Sequence, residues 1–502
     1  MASELLLGLD LGTQAVKGIL VSVEGEVLCE ASVERSPKHP QPGWTEMDAE
    51  QDWWFASVRV IRELLASNKG ISNSIRAIGV TALACCLCPL DEYGWPLRSA
   101  ILYSDNRAIR ELDWVNQNTG LNLSAEAVVP KLVWLQRHEP EEFRRMAVTV
   151  TANGYVVYRL TNKLSMDYDN ASIMGGIFDP LTHQWKENVL TVLNLPVSIW
   201  PPPLPATGIV GGVSAEAAQI TGLKSGTPVI AGTGDTFPTI VGCGAINPGD
   251  AMISFGTTGL LTLTVRPLVE AVEGPHFQSD SSLGAVKWGA NVLSAGRMVQ
   301  WFREQFAHAE RLVAGRTKVS EFLILEDQAR LVNPGSDGLI ILPHFLGRRT
   351  PRLNPYLRGA ILGLTPFHTS AHIYRSLLEA FAFNIRQGYD VLRDSIERTV
   401  VTAGGARSAL WREIVSNVLN ARLLFHPKSS GALGIAFLAG YATGLKKDFA
   451  AINQKWLQDP VVTEPDPEIV ELYDHLFKYY CKFDEALEEP FLFMGKEKSS
   501  LV

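Results

Sequence analysis

No stretch of this sequence approaches the roughly 18 uninterrupted apolar residues of a membrane span. Net positive charge is missing too: 45 Lys and Arg stand against 53 Asp and Glu, a formal charge of −8. That balance argues against a nucleic-acid surface and against electrostatic docking on an anionic membrane. The first apolar run, Leu5 to Leu11, contains Asp10 and has no basic segment before it, which is unlike a secretory signal. Cysteine is scarce. The six thiols (Cys29, Cys85, Cys86, Cys88, Cys243, Cys481) are scattered, without the spacing of a disulfide framework. Cys85, Cys86 and Cys88 crowd together, but neighbouring strand residues point to opposite faces, so three sulfurs converge poorly on a metal. They read better as small buried apolar side chains. A cytoplasmic, reduced protein is the expectation.

What is present is a globular composition, 46% hydrophobic and 20% charged, over 502 residues. That length is too great for one ordinary core, so two large domains are expected. The chain opens on an apolar strand, a Gly-Thr turn and a second strand, Leu5 through Val23, and Glu24-Gly-Glu26 turns into a third. Asp48 with Gln51 makes a capping box before a helix carrying Trp54, Val58, Ile61 and Leu65 on one face. Strands and helices alternate from there to about residue 245, the pattern of an α/β layered domain. Ala251 through Val265 then repeats the opening: strand, Gly-Thr turn, strand. A helix follows, capped near Thr369 or Ser370, with Ile373, Leu377, Phe381 and Ile385 on one face. Two related domains are expected, 1–245 and 246–460, with a helical tail over 461–502 that frays from Gly495 onward.

Four segments carry chemistry. Asp10-Leu-Gly-Thr-Gln14 sets a carboxylate at a strand end beside a tight turn. There, backbone amides and the Thr13 hydroxyl can reach a phosphate, and the carboxylate can hold magnesium through water. Such a hairpin also serves as a plain turn, and its echo at Gly256-Thr257-Thr258 is what gives it meaning. Asp235 ends an apolar strand through Gly232 and Gly234, where α/β sheets place catalytic groups. Gly404-Gly405 joins the strand Thr399–Thr402 to a helix near Ala409, a junction where adenosine can lie against backbone.

Together these segments resemble the FGGY family of carbohydrate kinases, within the actin-like ATPase fold. The resemblance runs from about Leu5 to about Asp448. It also rests on Lys17, Gly43-Trp-Thr-Glu-Met-Asp48 with Trp53, Asp105-Asn-Arg107, and Gly404-Gly405-Ala406-x-Ser408 with Trp411. Its most specific run is Arg349-Thr-Pro351 with Asn354-Pro355, Arg358-Gly359 and Gly363-Leu364. The resemblance implies two ribonuclease-H-like domains facing across a cleft that takes ATP, magnesium and a small sugar. By the same carry-over Asp235 is the catalytic base and Asp10 the metal residue. Thr13, Gln14, Lys17, Gly256, Thr257 and Thr258 surround the phosphates, and Gly404, Gly405 and Asn417 the adenosine. Asp105, Arg107 and Thr236 fall on the sugar side, and a homodimer is a family-level expectation.

Within the family the chain is most similar to xylulokinase-like members, and it departs from them in three places, one being Gln14 for the second Thr or Ser of the first phosphate turn, a substitution several relatives share. Where those carry a Met-His pair on the ketose, this sequence has Ala84 and Cys85. The usual Glu before Arg-Thr-Pro is Arg348. Loss of one substrate hydrogen bond changes selectivity greatly. The expected substrate is therefore a ketopentose such as xylulose, with ribulose, another ketose, or a polyol such as erythritol as alternatives. A non-catalytic sugar-responsive regulator or an actin-like chaperone would have lost one of these groups or runs.

Overall fold

Leu5–Leu11 (β1) is apolar except at Gly8 and Asp10, and it becomes a central strand buried on both faces, as parallel pairing requires. The computed structural model describes residues 4–66, 70–271, 274 and 284–499. They divide into two compact units. The first comprises 1–246, 266–285 and 430–458; the second comprises 247–265, 286–429 and 459–502. This partition differs from the contiguous expected division chiefly in 430–458, which packs with the first unit.

Among the described residues the first unit is built on a seven-stranded sheet. Its strands are β1, Ala15–Ser22 (β2), Val27–Glu34 (β3), Ile75–Ala82 (β4), Ile209–Gly212 (β5), Pro228–Ile230 (β6) and Thr233–Gly234 (β7). The order is β5-β6-β4-β1-β2-β3, with β7 beside the end of β4. Strands β1 to β3 pair antiparallel, β1 with β4 and β4 with β6 parallel, and the edge strand β5 antiparallel to β6. The second unit repeats this plan. Asp250–Phe255 (β8), Gly259–Thr264 (β9), Val286–Val292 (β10), Arg398–Thr402 (β11), Leu423–Phe425 (β12) and Val461–Thr463 (β13) run in the order β10-β9-β8-β11-β12-β13. Here too three strands are antiparallel, two parallel, and the last antiparallel. The fold is mixed α/β, with the expected ribonuclease-H-like sheet present twice.

Alternation along β1 sorts its side chains between two layers. Leu5, Leu7, Leu9 and Leu11 join the core formed with Val60, Ile61 and Leu64 of the helix Ala56–Ala66. Leu6, Gly8 and Asp10 face the helix Gly431–Ala442. That helix lies close enough that a Cβ on Gly8 would sit 2.0 Å from the Ala432 carbonyl oxygen, and one on Gly79 of β4 2.4 Å from that of Ile435. In the second unit the core gathers Phe255, Phe381 and Trp411, with ring centroids 5.0 to 5.2 Å apart.

Two local expectations change. Asp48 caps the helical turn Ala49–Phe55 by accepting from the Glu50 and Gln51 amides, but the return bond to its own amide comes from the Asp52 carboxylate at 2.8 Å, where Gln51 was expected. The C-terminal helix Glu488–Ser499 runs through part of the segment expected to fray, and 500–502 lie outside the described residues. The capping box of the long helix Ser370–Leu392 is closed by Thr369 and His372.

Candidate active site

The turn between β1 and β2 is held from the protein side. Arg35 donates from Nε to the Gly12 carbonyl at 3.0 Å, its Nη2 reaches the same oxygen, and its Nη1 donates to the Asp52 carbonyl. The Arg35 amide donates to the Gln14 carbonyl at 3.0 Å. Burial pulls this guanidinium down to about 10, against the influence of Asp52 and Asp10. With the carbonyls turned toward Arg35, Thr13 stays half-buried while Gln14 and Lys17 are exposed. Asp10 and Lys17 are cross-strand partners. Burial raises the Asp10 carboxyl above its ordinary range, and Lys17 and Arg35 oppose that shift.

Asp235 begins the helix Thr236–Cys243 just past β7. Gly232 makes this approach possible: its φ is +67°, and a Cβ there would lie 1.8 Å from the Val80 carbonyl oxygen. Asp235 accepts from the Thr236 hydroxyl at 3.3 Å, and its own carbonyl accepts from the Thr239 hydroxyl at 2.7 Å. The side chain keeps part of its surface exposed. Burial, and secondarily the charge of Asp10, push its carboxyl up to about 6. Two carboxyls at the end of one sheet, both raised by burial and one of them also by the charge of the other, make a site suited to holding a cation and to accepting a proton.

Ala84 reaches the same place: its Cβ lies 3.1 Å from where a Cβ of Gly234 would stand. Cys85 follows in a left-handed conformation, φ 55°, half-buried, its Sγ 3.9 Å from the Ile173 carbonyl oxygen. Asp105 and Arg107 are in a different situation. Arg107 donates from Nε and Nη2 to the two Asp105 oxygens at 2.9 and 2.8 Å, and from Nη2 to Glu46 at 2.7 Å. Its guanidinium lies 3.7 Å over the Trp44 ring, and Asp105 also accepts the Thr45 amide at 2.5 Å. Both side chains are fully buried, so this pair braces the Gly-Trp-x-Glu segment, while Arg107 Nη1 stays buried without a hydrogen-bond partner.

In the second unit Thr257 and Thr258 are exposed, and the Gly256 carbonyl accepts the Gly296 amide at 2.8 Å. Gly404 is open, with no atom within 4 Å of an added Cβ, whereas one on Gly405 would meet the Trp411 ring at 2.4 Å. Asn417 is not brought to these glycines. It lies near the other end of the helix Ala409–Leu419, where its Oδ1 accepts the Asp466 amide at 2.7 Å. In a helix rising about 1.5 Å per residue, Asn417 stands about two turns beyond the N-terminal end, which follows Gly404 and Gly405. Arg348, the departure before Arg-Thr-Pro, donates to Asp484 at 2.8 Å and to Glu488.

Several groups of the first unit escaped the sequence reading. Arg35 is one and Gly431 another: a Cβ on Gly431 would lie 3.0 Å from Asp10 Oδ2 and 3.3 Å from the Thr239 hydroxyl. Buried Lys131 donates to the carbonyls of Ala125, Glu126 and Ala127 at 2.8, 2.9 and 3.2 Å. Asp167, with Asn153, Asn170 and Thr233, forms a buried polar cluster behind Gly234. Ser430 before the small-residue run Gly431-Ala-Leu-Gly434 was the one available signal, a helix cap on a helix able to pack closely.

Residues 5–242 match the N-terminal domain of the FGGY family of carbohydrate kinases, and 251–443 its C-terminal domain. The chain belongs to this family. Its members are phosphotransferases, and the two-domain actin-like ATPase fold agrees with the duplicated sheet. The chain is 28% identical to a xylulose kinase of Staphylococcus epidermidis over 490 residues, covering 96% of each chain. It is 27% identical to a gluconokinase of Bacillus subtilis over 466 residues, 89% of each. The crystal structure of ligand-bound xylulose kinase from Lactobacillus acidophilus superposes with a TM-score of 0.81 at 25% identity, over 96% of this chain and 98% of that one. Among the described residues no helix is long and apolar enough to cross a membrane.

Proposed function

We propose that this FGGY kinase transfers the γ-phosphoryl group of ATP to a hydroxyl of a small sugar, a ketopentose such as xylulose, in the cytoplasm. The observation that carries the reading is Asp235: a partly exposed carboxylate at a sheet end, pushed up to about 6 by burial and Asp10. A base with that affinity is ionised at neutral pH yet takes a proton readily. Asp235 accepts the proton of the sugar hydroxyl as its oxygen bonds to the γ-phosphorus, and the bond from that phosphorus to ADP breaks. In the first unit the turn Gly12–Gln14 has amides and the Thr13 hydroxyl suited to phosphate oxygens, and the second unit, taken by itself, carries the same groups at Gly256–Thr258. Lys17 adds a cation opposite Asp10, Gly404 leaves room for adenosine beside Gly405, which packs on Trp411, and Thr236 lies beside the base on the sugar side.

Asp10 fits a magnesium ion. Its buried carboxylate lacks an ion-pair contact with Arg35, whose three donor nitrogens bond to backbone carbonyls, and Gly431 leaves the space beside Oδ2 free of a side chain. An ion held there through water would neutralise phosphate charge, and magnesium sites commonly use only one or two carboxylates with the substrate phosphates.

Identity of the sugar rests on Ala84 and Cys85. A thiol is a weak donor, so the contact an imidazole would make to a ketose oxygen is missing. This favours, as a second reading, another ketose or a polyol such as erythritol. The test is ATP consumption by wild type and Asp235→Asn against a panel of ketoses, polyols and sugar acids. At least one panel member should be phosphorylated by wild type, with turnover about 10²-fold or more lower in the variant. Near-normal turnover by Asp235→Asn would remove it as the base, and no consumption with any sugar would leave a sugar-binding regulator.

A further inference from the structure

The backbone that carries Asp235 is fixed at successive polar atoms by groups outside its own strand. The Ala231 amide donates to the Gly208 carbonyl at 2.8 Å, and the Ala231 carbonyl accepts from Asn153 Nδ2 at 3.2 Å. The Gly232 amide donates to the Ala206 carbonyl at 3.0 Å. The Thr233 carbonyl accepts from the Thr81 hydroxyl at 2.9 Å. The Thr233 hydroxyl donates to Asp167 Oδ1 at 2.8 Å, with Asp169 Oδ2 at 3.3 Å.

Asp167 is in turn held on all sides. It caps the helix Tyr168–Ile173, its Oδ1 accepting the Asn170 amide at 3.0 Å. Its Oδ2 accepts from the side chains of Asn170 at 2.7 Å and Asn153 at 3.1 Å. Asn153 stands in the first turn of the helix Ala152–Thr161, behind the capping residue Thr151. Asp167, Asn153, Asn170, Thr81 and Thr233 are each 1% exposed or less. Side chains that are dry and mutually bonded have few alternative rotamers, so they transmit a position rather than absorb a shift.

Strand pairing alone would not hold this segment. Strand β7 is only two residues long, Gly232 before it is left-handed, and Gly234 after Thr233 has no side chain to pack. We propose that Thr233, clamped by Asp167 on its hydroxyl and by Thr81 on its carbonyl, is a positioning residue that aims the Asp235 carboxylate at the accepting hydroxyl. This rests on Asp235 being the base. Thr233 is fully buried with its hydroxyl and carbonyl engaged within the fold, so its contribution lies in the chemical step and not in binding.

The experiment compares Thr233→Val, Thr233→Ser, Thr81→Val and Asp235→Asn in steady-state kinetics with the best sugar of the panel, each checked for a cooperative thermal transition. Valine matches the shape of threonine and removes only the donor. Misplacement of a catalytic group by about 1 Å can cost about 10²-fold. Thr233→Val should therefore lose roughly 10- to 100-fold in kcat, with KM for sugar and for ATP changed less than about threefold. Thr233→Ser, which restores the hydroxyl, should recover most of that loss. Thr81→Val, which removes the other clamp from a different strand, should lower kcat in the same manner and supplies the answer if Thr233→Val does not fold. A folded Thr233→Val or Thr81→Val with kcat within twofold of wild type overturns the proposal, as does a rise in KM at constant kcat. If Asp235→Asn itself keeps wild-type turnover, the failure belongs to the base assignment instead.

Discussion

A methyl group placed on Gly431 would stand 3.0 Å from Oδ2 of Asp10. The helix that starts at Gly431 thus begins against the carboxylate at the end of β1, with its N-terminal amides at the side where negative charge is stabilised. Gly431→Ala should test this contact. Alanine in place of glycine favours a helix by up to about 1 kcal/mol, so stability should hold or rise. Turnover should nevertheless fall about tenfold, because Asp10 must give way by a few tenths of an ångström. Unchanged turnover in a variant of normal thermal stability would show that the Asp10 position is not critical.

The raised affinity of Asp235 for a proton has a consequence for stability as well as rate. Its carboxyl is moved from 3.8 to about 6, so between those values the folded protein binds more protons than the unfolded chain. Stability contributed by this group is complete below about pH 4 and is lost as pH rises through about 6. Asp235→Asn carries no such penalty. It should unfold at a higher temperature than wild type at pH 7.5, by at most about 3 kcal/mol at about 1.4 kcal/mol per pH unit, and the difference should vanish near pH 4. Wild-type kcat/KM for sugar should rise through about pH 6 and then level, since the base must be ionised. A rate flat from pH 5 to 8 would contradict the assignment.

Substrate choice is open to direct change at Ala84 and Cys85. Cys85 has φ 55°, a conformation that histidine adopts more readily than most residues, so His is tolerable there. Ala84 abuts Gly234, and methionine is flexible enough to follow the available space. Ala84→Met with Cys85→His should raise the kcat/KM ratio of D-xylulose over the best wild-type substrate by about tenfold. A wild-type enzyme already most active on D-xylulose would place its recognition on other groups.

Arg348 belongs to a buried charge cluster. Asp484 accepts from its Nη1 at 2.8 Å and is 2.6 Å from His344 Nε2, and Glu488 pairs with its other nitrogen. Arg348→Glu would restore the residue usual in the family but set a third carboxylate among two. Breaking a buried pair in this way costs about 3–5 kcal/mol. Urea denaturation should show a loss of that order, and Arg348→Met a smaller one. An unaltered midpoint in Arg348→Glu would mean that the cluster contributes nothing to folding.

The hairpins at Thr13 and Thr257, the strand-end Asp235 and the Gly404–Gly405 junction were legible in the sequence because each is local. Turn chemistry, strand periodicity and a carboxylate beside glycine all lie within about ten residues. The same locality showed that the chain has two halves of one design. What surrounds Asp235 and Asp10 was decided only in three dimensions. Arg35 reaches back to the Gly12 carbonyl, Asp167 reaches forward to Thr233, and Gly431, far along the chain, closes on Asp10. Asp105, Arg107 and Asn417 likewise make hydrogen bonds within the fold that no motif announced. The physical reason is the same in every case. A short-range pattern specifies a backbone shape, but which buried donor meets which acceptor depends on how distant segments pack, and no spacing along the chain records that.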